Sequence, residues 1–169
     1  MTKLLLFLTI VSFNQMATQS KKSDQCNCCT EKHQQFDFWL GNWNVYNTNG
    51  KLIGTNTITK NYDGCMLKEE WVSAGSNRGT STNYYNKDDD SWNQIWVDNS
   101  GYNLVLKGAL TDGKMVLKSE VVKEKSGKHY NQITWTPNDD GTVTQLWEQF
   151  KTDGTIIKEV FKGVYKKNN

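Results

Sequence analysis

Two sets of side chains have types and spacings that carry chemistry: four cysteines near the start of the chain, and tryptophans each accompanied by a polar residue two positions away. The cysteines are Cys26, Cys28, Cys29 and Cys65. An even count in an exported chain favours disulfides. Cys65 follows a turn signal at Asp63-Gly64, so a bridge to it would tie the N-terminal arm onto the strands behind it. The second pair must then come from two of the three clustered cysteines, where neighbouring residues bridge only with strain. A soft-metal thiolate site is the competing reading, but Cys-x-Cys-Cys lacks zinc-site spacing, and the expectation is disulfides with no metal.

The second set follows from strand alternation, which sends residues i, i+2 and i+4 to one face. Leu67, Glu69 and Trp71 then share a side, as do Trp92, Gln94, Trp96 and Asp98. So do His129, Asn131, Ile133 and Trp135, and again Val143, Gln145, Trp147 and Gln149. The expected ligand-binding set is therefore Glu69, Trp71, Gln94, Trp96, Asn131, Trp135, Gln145 and Trp147, all pointing inward. These residues either fill a small core or line a cavity whose sparse polar groups orient a ligand. Inward Glu, Gln and Asn are expensive in a packed core unless hydrogen-bonded, which favours the cavity.

Catalytic patterns are thin. There is no Gly-x-Ser-x-Gly elbow, paired-histidine motif or phosphate-cradling loop, and no catalytic residue is assigned. Glu69 is the clearest inward carboxylate and, if desolvated, the candidate general base of a slow enzyme. Asp98 falls at a strand end. The two histidines, His33 and His129, are expected on the surface rather than as haem ligands, so no cofactor is expected. Arg78, the sole arginine, falls in a Gly75–Gly79 loop expected at a barrel mouth.

The elements that must position these groups are strands. Ten strand-like runs span 43–47, 52–62, 65–73, 80–86, 92–98, 102–110, 114–123, 129–136, 143–151 and 156–165. Between them Asn49-Gly50, Asp63-Gly64, Ser100-Gly101, Asp112-Gly113, Ser126-Gly127, Asp140-Gly141 and Asp153-Gly154 supply the positive-φ residues of tight hairpins. The one proline, Pro137, falls at a strand end, where a missing N–H does no harm. Sequential antiparallel strands with short turns predict an all-β, up-and-down antiparallel β-barrel of about 8–10 strands, with a two-sheet sandwich as runner-up. Glu31 to Leu40 reads as a short helix or turn N-capped by Thr30. The aromatic stretch 36–43 that follows reads as a helical plug closing one end.

Met1 to about Ser20 has Lys3, an apolar run over 4–13 and small residues at Ala17, Thr18 and Ser20. That is the pattern of a secretory signal peptide, too short to span a bilayer. No lipobox precedes Cys26, so no stable membrane anchor is expected. The organisation expected is 1–20 signal peptide, 21–35 polar cysteine-containing arm and 36–167 barrel, exported to a periplasmic or extracellular location. With 20 basic against 18 acidic residues and no basic stripe, nucleic acid is not an expected partner.

Phe36-Asp37-Phe38-Trp39-Leu40-Gly41-Asn42-Trp43 resembles the opening of a bacterial family of exported proteins of unknown function with a calycin-like, lipocalin-type barrel. Further pieces follow in order: Gly64-Cys65 with Glu70-Trp71, Tyr84-Tyr85-Asn86, Trp92-x-Gln94-x-Trp96-Val97-Asp98, Gln145-x-Trp147-Glu148 and Phe161-x-Gly163-x-Tyr165. The resemblance implies a fold and no activity. In lipocalins a cation on the last strand packs over the Trp of Gly-x-Trp, and here Lys162, Lys166 or Lys167 must supply it. The function expected is binding of a small, largely apolar or amphipathic molecule in the lumen. The alternatives are a low-turnover enzyme using Glu69 and a structural or partner-binding envelope protein.

Overall fold

The computed structural model describes residues 26–125 and 127–168, so the leader, the first residues of the arm, Ser126 and Asn169 lie outside the described residues. A one-turn helix, α1 (Glu31–Gln34), and a 3-10 turn, Asp37–Trp39, precede eleven strands. These are β1 (Gly41–Tyr46), β2 (Leu52–Asn61), β3 (Met66–Ser73), β4 (Arg78–Asn86), β5 (Ser91–Asp98) and β6 (Asn103–Thr111). They continue with β7 (Lys114–Lys118), β8 (Val122–Glu124), β9 (Gly127–Pro137), β10 (Val143–Lys151) and β11 (Ile156–Lys167). Each strand pairs antiparallel with its sequence neighbour except at β7, which skips β8 to pair with β9, and β11 returns to pair with β1, so the sheet closes. Because β7 and β8 pair with successive parts of β9, the circuit has ten positions from eleven strands. Closure leaves no open edge along that circuit, which is the all-β, up-and-down arrangement expected.

The turns form where the Xaa-Gly pairs fall. Asp112 and Gly113 both hold positive φ, 49° and 75°, and join Thr111 directly to Lys114, the geometry of a two-residue hairpin. One run departs from expectation. The continuous strand read over 114–123 is interrupted at residues 119–121. Ser119 Oγ accepts the Asn131 backbone N–H at 2.9 Å while the Ser119 N–H bonds Asn131 O at 2.8 Å. A hydroxyl standing in for a ladder carbonyl breaks the strand there.

The plugged end is where the core is densest. Phe36 and Trp39 are fully buried, with rings stacked at 5.0 Å, and Phe36 meets Trp92 and Trp135 edge-on at 5.6 and 5.2 Å. Trp43 is buried with them and donates its indole N–H to Trp39 O at 2.8 Å. Lys167 answers the question of the last-strand cation. Its Nζ lies 3.8 Å from the centre of the Trp43 ring and hydrogen-bonds Leu40 O. Thr30 caps α1 by accepting the His33 N–H.

Two disulfides hold the arm: Cys26–Cys29 within it, and Cys28–Cys65 to the turn before β3. All four cysteines are thus paired in disulfides, one of which includes Cys65 as expected. Lys60 adds an ion pair to Asp37 at 2.7 Å, Lys32 one to Asp90 at 2.7 Å, and Trp92 an indole hydrogen bond to Gln35 at 3.2 Å.

Candidate functional site

The opposite end of the barrel is open. There a cavity of about 410 Å³ lies between the strands, with Asn77 of the β3–β4 loop and Tyr102 of the β5–β6 loop at its edge. Its walls are aromatic. Trp71 meets Phe161 edge-on at 6.1 Å, and Tyr102 stacks on Trp147 at 6.2 Å, with Trp96 beside them. These rings leave a void because glycines seat them against the wall. An added Cβ at Gly54 would collide with the Trp71 ring, and one at Gly79 with the Trp96 ring. Both indoles therefore fold down over a neighbouring strand rather than across the lumen. Register shifts in the β10–β11 pairing, between Trp147 and Glu148 and again between Gln149 and Phe150, kink the wall at this rim.

The floor is polar. Glu69 is 5 % exposed and accepts Asn56 Nδ2 at 2.7 Å on one oxygen and Ser81 Oγ at 2.6 Å on the other. Asn83 donates to Ser81 Oγ at 2.8 Å, and Gln94 Nε2 donates to Asn83 Oδ1 at 2.8 Å. Tyr165 donates to Gln145 Oε1 and accepts from Asn56 at 3.4 Å. Burial pushes the Glu69 carboxyl up to about 6, against the downward pull of the Ser81 and Asn56 hydrogen bonds. Burial, with the Glu69 charge behind it, holds the Tyr165 hydroxyl well above its ordinary value. At the mouth the order reverses. Hydrogen bonds, chiefly from Ser100, keep Asp98 below the usual carboxylate range.

Of the expected binding residues, Glu69, Trp71, Gln94, Trp96, Gln145 and Trp147 come together around the cavity. Trp135 and Asn131 do not line it. Trp135 is inward but at the plugged end, packed on Phe36 and Trp39. Asn131 is buried and acts behind the wall, accepting the Trp147 indole N–H at 2.9 Å and so fixing that ring. His129, expected on the surface, is buried. Strand alternation in the four tryptophan runs does not reach Phe161, Tyr165, Tyr102, Ile53 or the Asn56–Ser81–Asn83 layer. Phe161 and Tyr165 belong to the Phe161-x-Gly163-x-Tyr165 pattern, and their shared parity on β11 is the signal that places both inward.

A closed antiparallel barrel with a short N-terminal helix, a plugged end and an open, aromatic-walled one is consistent with a calycin-like, lipocalin-type fold. No protein-family model matches the chain, and no curated protein matches it.

Proposed function

We propose that this is an exported lipocalin-like protein that binds a small amphipathic molecule in the barrel lumen. The observation that carries the reading is the cavity itself, with half-buried Trp71, Trp96 and Trp147 as walls over the Glu69, Gln94 and Gln145 floor. Mostly apolar lining with a few convergent polar groups is how small-molecule sites are built. Export is supported by the leader pattern and by two closed disulfides, which persist in oxidising compartments.

Saturable change of tryptophan fluorescence, with a matching rise in melting temperature, should appear within a panel of fatty acids, isoprenoids, aromatic acids and amines. The same ligand should lose its signal in Trp147→Ala. A panel without a saturable response would overturn the reading. A second reading rests on one observation, the Glu69 carboxyl with its raised pKa on the cavity floor, which suits a general acid or base. Turnover of any bound compound that disappears in Glu69→Gln while binding persists would favour it.

A further inference from the structure

We infer that the lumen selects organic ammonium compounds, an amine carried on an apolar or aromatic body, over carboxylate amphiphiles of the same shape. The inference deepens the lumen-binding reading and rests on it. The side chains lining the cavity include two carboxylates, Glu69 on the floor and Asp98 at the mouth. Among the described residues that line it there is no lysine, arginine or histidine. A carboxylate ligand would enter with two like charges and no cation to meet it.

The floor's hydrogen-bond inventory points the same way. Apart from the Gln145 amide N–H, its side-chain donors are engaged with protein acceptors. Asn56 Nδ2 and Ser81 Oγ serve Glu69, Asn83 Nδ2 serves Leu67 O and Ser81, Gln94 Nε2 serves Asn83 and Ser81, and Tyr165 serves Gln145. What remains is acceptor capacity: further lone pairs on the Glu69 oxygens, and Gln94 Oε1. In the same layer Asn56, 1 % exposed, has an Oδ1 with no hydrogen-bond partner among the described residues. A head group that donates therefore meets more open partners on the floor than one that only accepts. Above it stand the faces of Trp71, Trp96 and Trp147, the side chains best suited to hold a desolvated cation.

The test compares three probes with one body and three heads: 4-phenylbutylamine, 4-phenylbutanol and 4-phenylbutanoate, titrated calorimetrically into the disulfide-closed protein at pH 7.5. The amine should bind at least about tenfold tighter than the carboxylate, with the alcohol between. Glu69→Gln should erase the amine's advantage over the alcohol. Asp98→Asn, outside the buried network, should narrow the gap between amine and carboxylate and covers the case in which the Glu69 variant does not fold. A variant-free arm uses pH. The titratable groups lining the cavity with Glu69 are Asp98, Tyr102 and Tyr165, with Asp98 shifted downward and both tyrosines upward. Lowering the pH to 5.0 should therefore weaken the amine by up to about tenfold and leave the alcohol unchanged. Alcohol or carboxylate binding as tightly as the amine would overturn the inference and leave lumen binding standing. Failure of all three probes to bind would overturn both.

Discussion

The two ends of this barrel use the same residue type in opposite ways. At the plugged end Trp39, Trp92 and Trp135 are buried against Phe36, and Trp43 is buried beside them against Tyr165, so that ring contacts exclude water. At the open end Trp71, Trp96 and Trp147 are only half-buried and lie against the wall around a void. What separates the two is what sits beside each ring. Inward Phe36 fills the first set, while Gly54 and Gly79 make room for two of the second to lie flat. An indole is thus a stability element at one end and a contact surface at the other.

The sharpest way to break that contrast is truncation at each end. Trp43→Ala should destabilise by about 3–5 kcal/mol, the range for deleting a buried large aromatic. Trp96→Ala should cost about 1 kcal/mol or less and instead remove ligand binding. Urea midpoints read the first quantity and fluorescence titration the second. Equal stability losses at the two ends would mean that the open-end rings are core.

Which residues would face inward was legible in the sequence, because alternation is local. The strand ends were legible too, since a positive φ at Gly50, Gly64, Gly101, Gly141 or Gly154 is a demand on one residue. Height along the barrel axis was not legible. Trp135 and Trp147 share inward parity on adjacent strands, yet Trp135 pairs with Gln145 and Trp147 with Ile133. That register places one ring in the plug and the other at the mouth. Register comes from how β7, β9, β10 and β11 stagger against each other, and no single run encodes it. The Asn56–Glu69–Ser81–Asn83 layer was hidden for the same reason. Its members lie on three strands and become neighbours only through pairings such as Glu69 with Ser81.

The disulfides give the next largest contrast. Cys28–Cys65 closes a separation of 37 residues and Cys26–Cys29 one of 3. Chain-entropy reasoning assigns the longer loop about 4 kcal/mol and the shorter about 2. Cys28→Ser/Cys65→Ser should therefore lower the denaturation midpoint more than Cys26→Ser/Cys29→Ser. Neither should change ligand affinity, because the arm packs at the plugged end. Reversal of that order would place the arm's stabilising role in its own short loop.

Glu69 sets a smaller, pH-dependent effect on the open-end side. Its folded-state carboxyl keeps its proton up to about pH 6, whereas the ordinary value is 4.5. Across that window the folded chain binds more protons than the unfolded one, so stability falls as pH rises, by about 2 kcal/mol at most. Unfolding titrations at pH 4.5 and 6.5 should show this fall in the wild type and lose it in Glu69→Gln. Groups common to both proteins cancel in the difference. Identical slopes in the two would show that the floor is solvated enough to leave Glu69 with an ordinary affinity for protons.

The smallest effect is the most informative about whether the two ends are independent. Lys167 lies over Trp43 and bonds Leu40 O, and burial holds its ammonium somewhat below the ordinary value. Gly41, at a φ of 123°, leaves the room the lysine occupies, since a Cβ there would meet Lys167 Nζ. Lys167→Met keeps most of the aliphatic cover and removes the charge, so it should destabilise by about 0.5–1 kcal/mol, the usual contribution of a partly exposed cation over an indole. Lys167→Arg should retain most of that stability. Both variants should bind lumen ligands as the wild type does, because Lys167 and Trp43 are absent from the cavity lining. A change in ligand affinity in Lys167→Met would mean that strain at the plug is transmitted along β1 and β11 to Tyr165 on the cavity floor. The barrel would then respond as one coupled body rather than as a fixed base carrying an independent mouth.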